Sequence, residues 1–162
     1  MEREAQGPAH GAEQVPEGLA AEILAALAAS TAHYEAGSAR YFDLFSPDAT
    51  FFSAGEPLRL DTRQAFESAF GPHLGEQLRA YHFLGPRIQP LPPDGAVFTS
   101  HVRYRVNFTF VDMRLTLVLA RRQGAWQAIH LHLSPLPSSA DTGTTGLAED
   151  VTQIVATAAV GA

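Results

Sequence analysis

Cysteine and lysine are both missing from this chain of 162 residues. Without cysteine there can be no disulfide, no thiol nucleophile and no thiolate metal site. Without lysine there is no Schiff-base chemistry. The P-loop lysine and the kinase strand lysine are absent too, which excludes both of those phosphoryl-transfer engines. Positive charge is also in short supply. All 11 basic residues are Arg, the net charge is −6, and only Arg121 and Arg122 are adjacent. A nucleic-acid binder shows a basic footprint and an anionic-membrane binder a polybasic cluster; neither pattern is present. No apolar run approaches the roughly 18 residues needed to cross a bilayer. The stretch from Met1 to Pro16 carries no apolar signal-peptide core. The expectation is a cytoplasmic protein with neither a nucleic-acid nor a membrane partner.

What remains is 46% hydrophobic, enough for one domain with its own core. Residues 1–16 hold Gly7, Pro8, Gly11 and Pro16 without apolar periodicity and read as a disordered arm. From Glu17 the period becomes helical, with Leu19, Ile23, Leu27 and Tyr34 on one stripe and Gly37 as its stop. Residues 39–46 read as a short second helix with Tyr41, Leu44 and Phe45 inward. Residues 49–53 read as a strand, with residues 58–60 as a short partner. Asp61 and Gln64 have capping-box spacing before a third helix that buries Phe66 and Phe70.

The second half changes period from 3.6 to 2. Residues 79–91 form a strand broken at Gly85-Pro86, and Pro92 to Gly95 a turn. Residues 96–108, 113–122 and 125–134 are three further strands, the last two joined by a hairpin at Gln123-Gly124. Residues 138–162 read as a Ser/Thr/Gly linker followed by a candidate helix. Helices first and antiparallel strands after is an α+β order. A curved antiparallel sheet wrapped around N-terminal helices would leave a cavity between the layers. The domain is assigned to residues 17–137.

The chemistry-bearing residues sit on the strands. Simple alternation places Trp126, Ala128, His130, His132 and Ser134 on one face of the last strand. Two His two residues apart lie roughly 6–7 Å from each other. That spacing allows two ligands on one metal, with His101 as a third. A hydrogen-bonded polar layer accounts for the same residues, and no metal and no cofactor are assigned. His101, Arg103 and Arg105 share a face of another strand, while Val102, Tyr104 and Val106 share the opposite one. If the His/Arg face lines a cavity, a carboxylate or phosphate-like ligand is its natural complement. If it faces water, those are surface charges. Alternation leaves the sign open, since one residue of slip inverts every side chain.

The segment Trp126-Gln127-Ala128-Ile129-His130-Leu131-His132-Leu133-Ser134 resembles the WQNVHFHxS ending of the calcium/calmodulin-dependent protein kinase II association domain. That domain belongs to the nuclear transport factor 2-like superfamily, with ketosteroid isomerases and SnoaL-like polyketide cyclases. Arg121-Arg122-Gln123-Gly124-Ala125-Trp126 and Val102-Arg103-Tyr104 match further motifs, and the likeness runs from about Leu19 to Pro137. It implies a nuclear transport factor 2-like, or cystatin-like, cone in a stand-alone bacterial relative. The association family's first pocket Arg matches Arg103, whereas its second falls at Leu117. The resemblance implies self-association as a homodimer or higher oligomer and a small-molecule ligand, with an anion favoured by the Arg pair. Ligand-binding candidates are Arg103, Arg105, His132, Tyr34, Trp126 and Tyr81. The enzymatic alternative is an isomerase, cyclase or hydratase with His101 or His130 as general base. The carboxylate base of a steroid isomerase has no obvious counterpart: Asp112 is read at a strand turn, Glu56 in a turn and Asp43 on a short helix.

Overall fold

In the computed structural model, residues 16–74, 79–106 and 108–136 are described. The readings made for residues 1–15 and 138–162 lie outside them. Helix α1 spans Glu17–Glu35. Its buried residues Ile23, Leu27, Ser30 and Tyr34 recur at intervals of four, three and four, one stripe of an α-helix. Gly37 follows with φ +65°, and a Cβ there would stand 2.7 Å from the Leu74 carbonyl oxygen. Only glycine allows both that conformation and that approach.

The short second helix expected at 39–46 is a 3-10 helix over Ala39–Leu44, two residues shorter at its end because β1 (Phe45–Phe52) follows directly. The strand starts earlier than its sequence signal because Phe45 already pairs with Ala128. Pro47 falls where that pairing is irregular, and β1 is an edge strand, where proline removes no needed donor. Leu60 makes the expected short bridge to Phe51. Helix α2 (Arg63–Phe70) begins one residue later than its capping-box reading. Thr62 is the cap, its hydroxyl accepting from Ala65 N–H at 3.1 Å, while Asp61 pairs with Arg59 instead. A second 3-10 turn, Gly71–Leu74, ends this region.

The remaining strands are β2 (Arg79–Leu91), β3 (Gly95–Val106), β4 (Thr109–Arg122) and β5 (Ala125–Pro135). The sheet order is β1-β5-β4-β3-β2, with β1 parallel to β5 and every other pair antiparallel. β4 begins at Thr109, so Asp112 lies within the strand, opposite Arg103, and not at the turn expected for it. Gln123 and Gly124 both have positive φ, which suits a tight two-residue hairpin. The β2 register shifts between Leu84 and Arg87, where Gly85 and Pro86 interrupt the pattern.

One face of the sheet is buried against the helices. Its rows include Phe98 opposite Leu117, Val102 opposite Met113 and Leu115 opposite Leu133. Phe51 stacks on Phe66 at 4.3 Å, fixing α2 over β1. Truncating either buried ring would cost about 3–5 kcal/mol.

At the start of α1, Glu22 accepts hydrogen bonds from Trp126 Nε1, at 3.0 Å, and from Arg121. The Arg121 guanidinium lies 4.9 Å from the Trp126 ring centroid. The hydrogen bonds from Trp126 and Arg121 hold the Glu22 carboxyl below its ordinary value of 4.5. A depressed carboxyl stabilises the fold above its unfolded value and loses that effect as pH falls through the folded one. Trp126 is the sole tryptophan. Its fluorescence should therefore titrate below pH 4.5, and Glu22→Gln should remove that transition. An unchanged titration in the variant would disprove the link.

Candidate functional site

Between the sheet and the helices lies a cavity of about 300 Å³. Tyr34 comes from α1, Tyr41 from the first 3-10 turn, Tyr81 from β2 and Tyr104 from β3. These are all four tyrosines of the chain. Phe66 and Phe70 of α2 and Leu131 and Leu133 of β5 add apolar wall. Ser53, Ala54, Gly55 and His73 complete the lining. Ala54, Gly55 and His73 are exposed, whereas Tyr34, Tyr41, Phe66 and Leu131 are buried. The opening therefore lies at the loop after β1 and the second 3-10 turn, and the floor lies under α1.

The rings brace one another. Tyr34 sits 5.5 Å from Tyr41 and 5.4 Å from Tyr81, while Tyr81 stacks on Tyr104 at 6.4 Å. Burial pushes the Tyr81 phenol well above its ordinary value, and neighbouring phenols push it further. Burial, followed by Tyr34, does the same to Tyr41. Burial alone raises Tyr104. These hydroxyls therefore remain protonated at neutral pH, available as neutral hydrogen-bond groups. Among the described residues, no Arg, Asp or Glu lines the cavity.

Of the residues expected from the sequence, Tyr34 and Tyr81 line this space. The others do not. His101, Arg103 and Arg105 alternate with buried Val102 and with Tyr104 of the cavity wall, so they point to the outward face. This settles the sign that alternation leaves open, and it corrects the cavity-lining reading of that face. The physical reason is burial: the face against the helices must be apolar, and unpaired guanidiniums there would cost several kcal/mol each (about that order). On the outside, Arg103 makes a two-pronged pair with Asp112, at 2.7 and 2.8 Å. That pair holds the Asp112 carboxyl below its ordinary range. Because both side chains are more than a third exposed, such a pair contributes about 0–1 kcal/mol.

On β5, alternation itself is broken. Leu119 pairs with Ala128 but Val118 pairs with His130, so Ile129 is an extra residue, a β-bulge. The bulge separates the residues that simple alternation puts together. Trp126 and Ala128 face the helices; His130 and His132 face outward with Thr116 and Val118. Trp126 is buried against α1 and does not line the cavity. His130 Nδ1 is 2.8 Å from the Thr50 hydroxyl, and the Phe52 ring packs 5.9 Å from both imidazoles. Burial, then the positive charges of His132 and Arg59, lowers the His130 pKa. Among the described residues, no group of three or more His, Asp or Glu is arranged to hold a metal. Neither expected base, His101 nor His130, reaches the cavity; the imidazole that lines it is His73. His73 follows Gly71-Pro72, a helix-ending signal, and nothing in that segment marks it as a wall residue. Tyr41 and Tyr104 appear in the sequence as core residues, and nothing in their spacing separates a cavity wall from a core.

A family model described as a SnoaL-like domain matches residues 23–138. Among solved structures, the chain is similar to a candidate calcium/calmodulin dependent protein kinase II association domain from Xanthomonas campestris. The TM-score is 0.68 at 21% identity, covering 85% of this chain and 99% of that one. A candidate scytalone dehydratase from Novosphingobium aromaticivorans gives 0.66 at 14% identity, covering 73% and 84%. An NTF2-like protein of unknown function from Pseudomonas putida gives 0.65 at 18% identity, covering 79% and 96%. At these identities the likeness is one of fold. No curated protein sequence matches the chain.

The buried phenols give a direct check on the cavity. A phenol whose folded pKa is raised stabilises the fold below its unfolded value of about 10 and loses that contribution as pH rises through the folded value. Absorbance at the phenolate band should show Tyr41 and Tyr81 ionising only with alkaline unfolding. Ionisation of all four tyrosines near pH 10 (about the free value) in folded protein would contradict the geometry.

Proposed function

The chain belongs to the SnoaL-like domain family, and on that premise we propose that it is a homo-oligomerising domain that binds a small neutral ligand in its tyrosine-lined cone. One observation carries the reading: every tyrosine gathers around a single cavity of about 300 Å³, with no Arg, Asp or Glu among the described lining residues. Small-ligand sites are apolar clefts with a few placed polar groups, and this volume is at their lower end of about 300 Å³. Flat aromatic walls favour a flat ligand, and phenol hydroxyls favour one with hydrogen-bonding oxygen. An anion would have to shed its hydration without meeting a guanidinium. The anionic ligand expected from Arg103 and Arg105 therefore loses its support, because those groups face outward.

Matched probes test this. In calorimetric titrations at pH 7, 2-naphthol should bind at least about tenfold more tightly than 2-naphthoate, a difference of about 1.4 kcal/mol. Equal or inverted affinities would refute a neutral site. The enzymatic reading rests on His73, which lines the cavity beside Phe70 at a ring distance of 6.3 Å. Turnover of a bound probe that disappears in His73→Ala, with binding retained, would make the domain a catalyst.

Self-association is supported by the outward sheet face, where Phe52 and Phe110 are 47% and 60% exposed. The Xanthomonas neighbour's description as an association domain points the same way. Light scattering should give at least a dimer, and Phe110→Glu should shift it toward monomer. A wild-type monomer at micromolar concentration would end this part of the reading.

A further inference from the structure

Where β3 turns into β4, the outer sheet face is cationic and apolar at once. Arg105 stands opposite Phe110, beside the Arg103–Asp112 pair. Unlike Arg103, it meets no carboxylate among the described residues, and its Nε is buried without an acceptor. A buried donor left without a partner is costly, above all on a charged group. Next to it, Phe110 is largely exposed and Phe108, in the turn before β4, is 91% exposed. A missing carboxylate and a missing apolar cover thus fall at the same corner.

The chain leaves the sheet at that corner. β5 ends at Pro135, opposite Met113. The Pro135 carbonyl accepts from the Arg114 guanidinium at 3.2 Å, and the Leu136 N–H donates to the Asp112 carbonyl at 3.1 Å. Residues 137–162 follow, beyond the described ones. Their sequence holds Asp141, Glu149 and Asp150 and no Arg or His. At helical spacing, Leu147, Val151, Ile154, Val155 and Ala158 share one stripe. Asp150 is three residues after Leu147 and four before Ile154, so it borders that stripe. The intervening residues 137–146 can extend to roughly 33 Å. Neighbouring strands are only about 4.8 Å apart, so β3 and β4 are within easy reach.

We propose that residues 147–160 dock on the outer β3–β4 corner of their own chain, with their apolar stripe over Phe108 and Phe110 and the Asp150 carboxylate on Arg105. Charge and shape together name this occupant. A free anion would satisfy Arg105 and leave both rings in water. A second copy meeting the corner with its own would bring Arg105 and Arg114 against like charge. The tethered segment supplies carboxylate and apolar area together, at the high effective concentration that a short linker gives. The proposal does not depend on the ligand cavity. It leaves the Phe52 half of the outer face to a second copy, and Phe110, on the central strand β4, borders both.

The test uses the full chain carrying Ala158→Cys, its sole thiol, modified with a nitroxide. Amide resonances are compared before and after the nitroxide is reduced. The oxidised label should strip intensity from the Phe108, Phe110 and Arg114 amides. Arg122, at the far end of β4 and roughly 40 Å from Phe110, should keep its intensity. Asp150→Arg should abolish the loss, and it lies outside the domain assigned to residues 17–137, so a folding failure does not confuse the result. Arg105→Glu should abolish it as well, and the two changes combined should restore it. No loss at the corner in the labelled parent chain overturns the proposal. A loss that survives Asp150→Arg also overturns it, because the carboxylate match would then play no part. A loss that appears only between separate labelled and isotope-enriched molecules assigns the corner to a second copy and overturns docking within the chain.

Discussion

Burial of one sheet face against the helices is the constraint on which the rest of this structure depends. Each strand residue has two environments open to it, and most of the aliphatics and all the cavity tyrosines of the strands take the inner one, while Phe52 and Phe110 stay outside. Charge is sorted by the same rule. Arg103, Asp112 and Arg114 share the outer face, where water and one another replace lost hydration. A single extra residue, Ile129, reverses the parity of β5 and so decides which of its side chains meet the helices. Without that bulge, a strand carrying both Trp126 and Leu131 could not present both inward.

The cavity follows from how the helices sit on that face. Phe51, Phe66 and Phe45 interlock where α2 meets β1, with ring distances from 4.3 to 5.5 Å. Toward β2 and β3 the covering residues are Tyr34 and Tyr41, and Tyr34 meets Tyr81 of β2 at 5.4 Å. Rigid rings with polar tips cannot close such a space as branched aliphatics would. The rim is set by backbone. Gly37 lets the turn after α1 approach the Leu74 carbonyl, which fixes the segment carrying His73. A loop element is thereby placed with the precision of a packed one.

The fold was largely legible in the sequence. The helical stripe ending at Gly37, the break at Gly85-Pro86 and the hairpin at Gln123-Gly124 are each signalled by residues with one dominant conformational use. The site was less so. Arg103 and the two β5 histidines were conspicuous because charged and imidazole groups suggest chemistry, yet their position depends on parity. Parity is a global property, set by where the apolar rows of five strands register. The Ile129 bulge has no glycine or proline to announce it. Tyr41 and Tyr104 were hidden for the opposite reason: a tyrosine in a packed core and one on a cavity wall have the same neighbours in sequence. Asp112 shows that a residue type common in turns can equally serve as a cross-strand counter-ion, when an Arg stands opposite.

The gathering of all four tyrosines has an optical consequence. The chain's near-ultraviolet absorbance and circular dichroism arise from these four phenols and one indole, with weak additions from phenylalanine. Since Trp126 lies under the far end of α1, the tyrosine bands report on the cavity and the tryptophan band on the helix anchor. The protein thus carries two native chromophore sets at separate stations, and events at one can be distinguished from events at the other without any label.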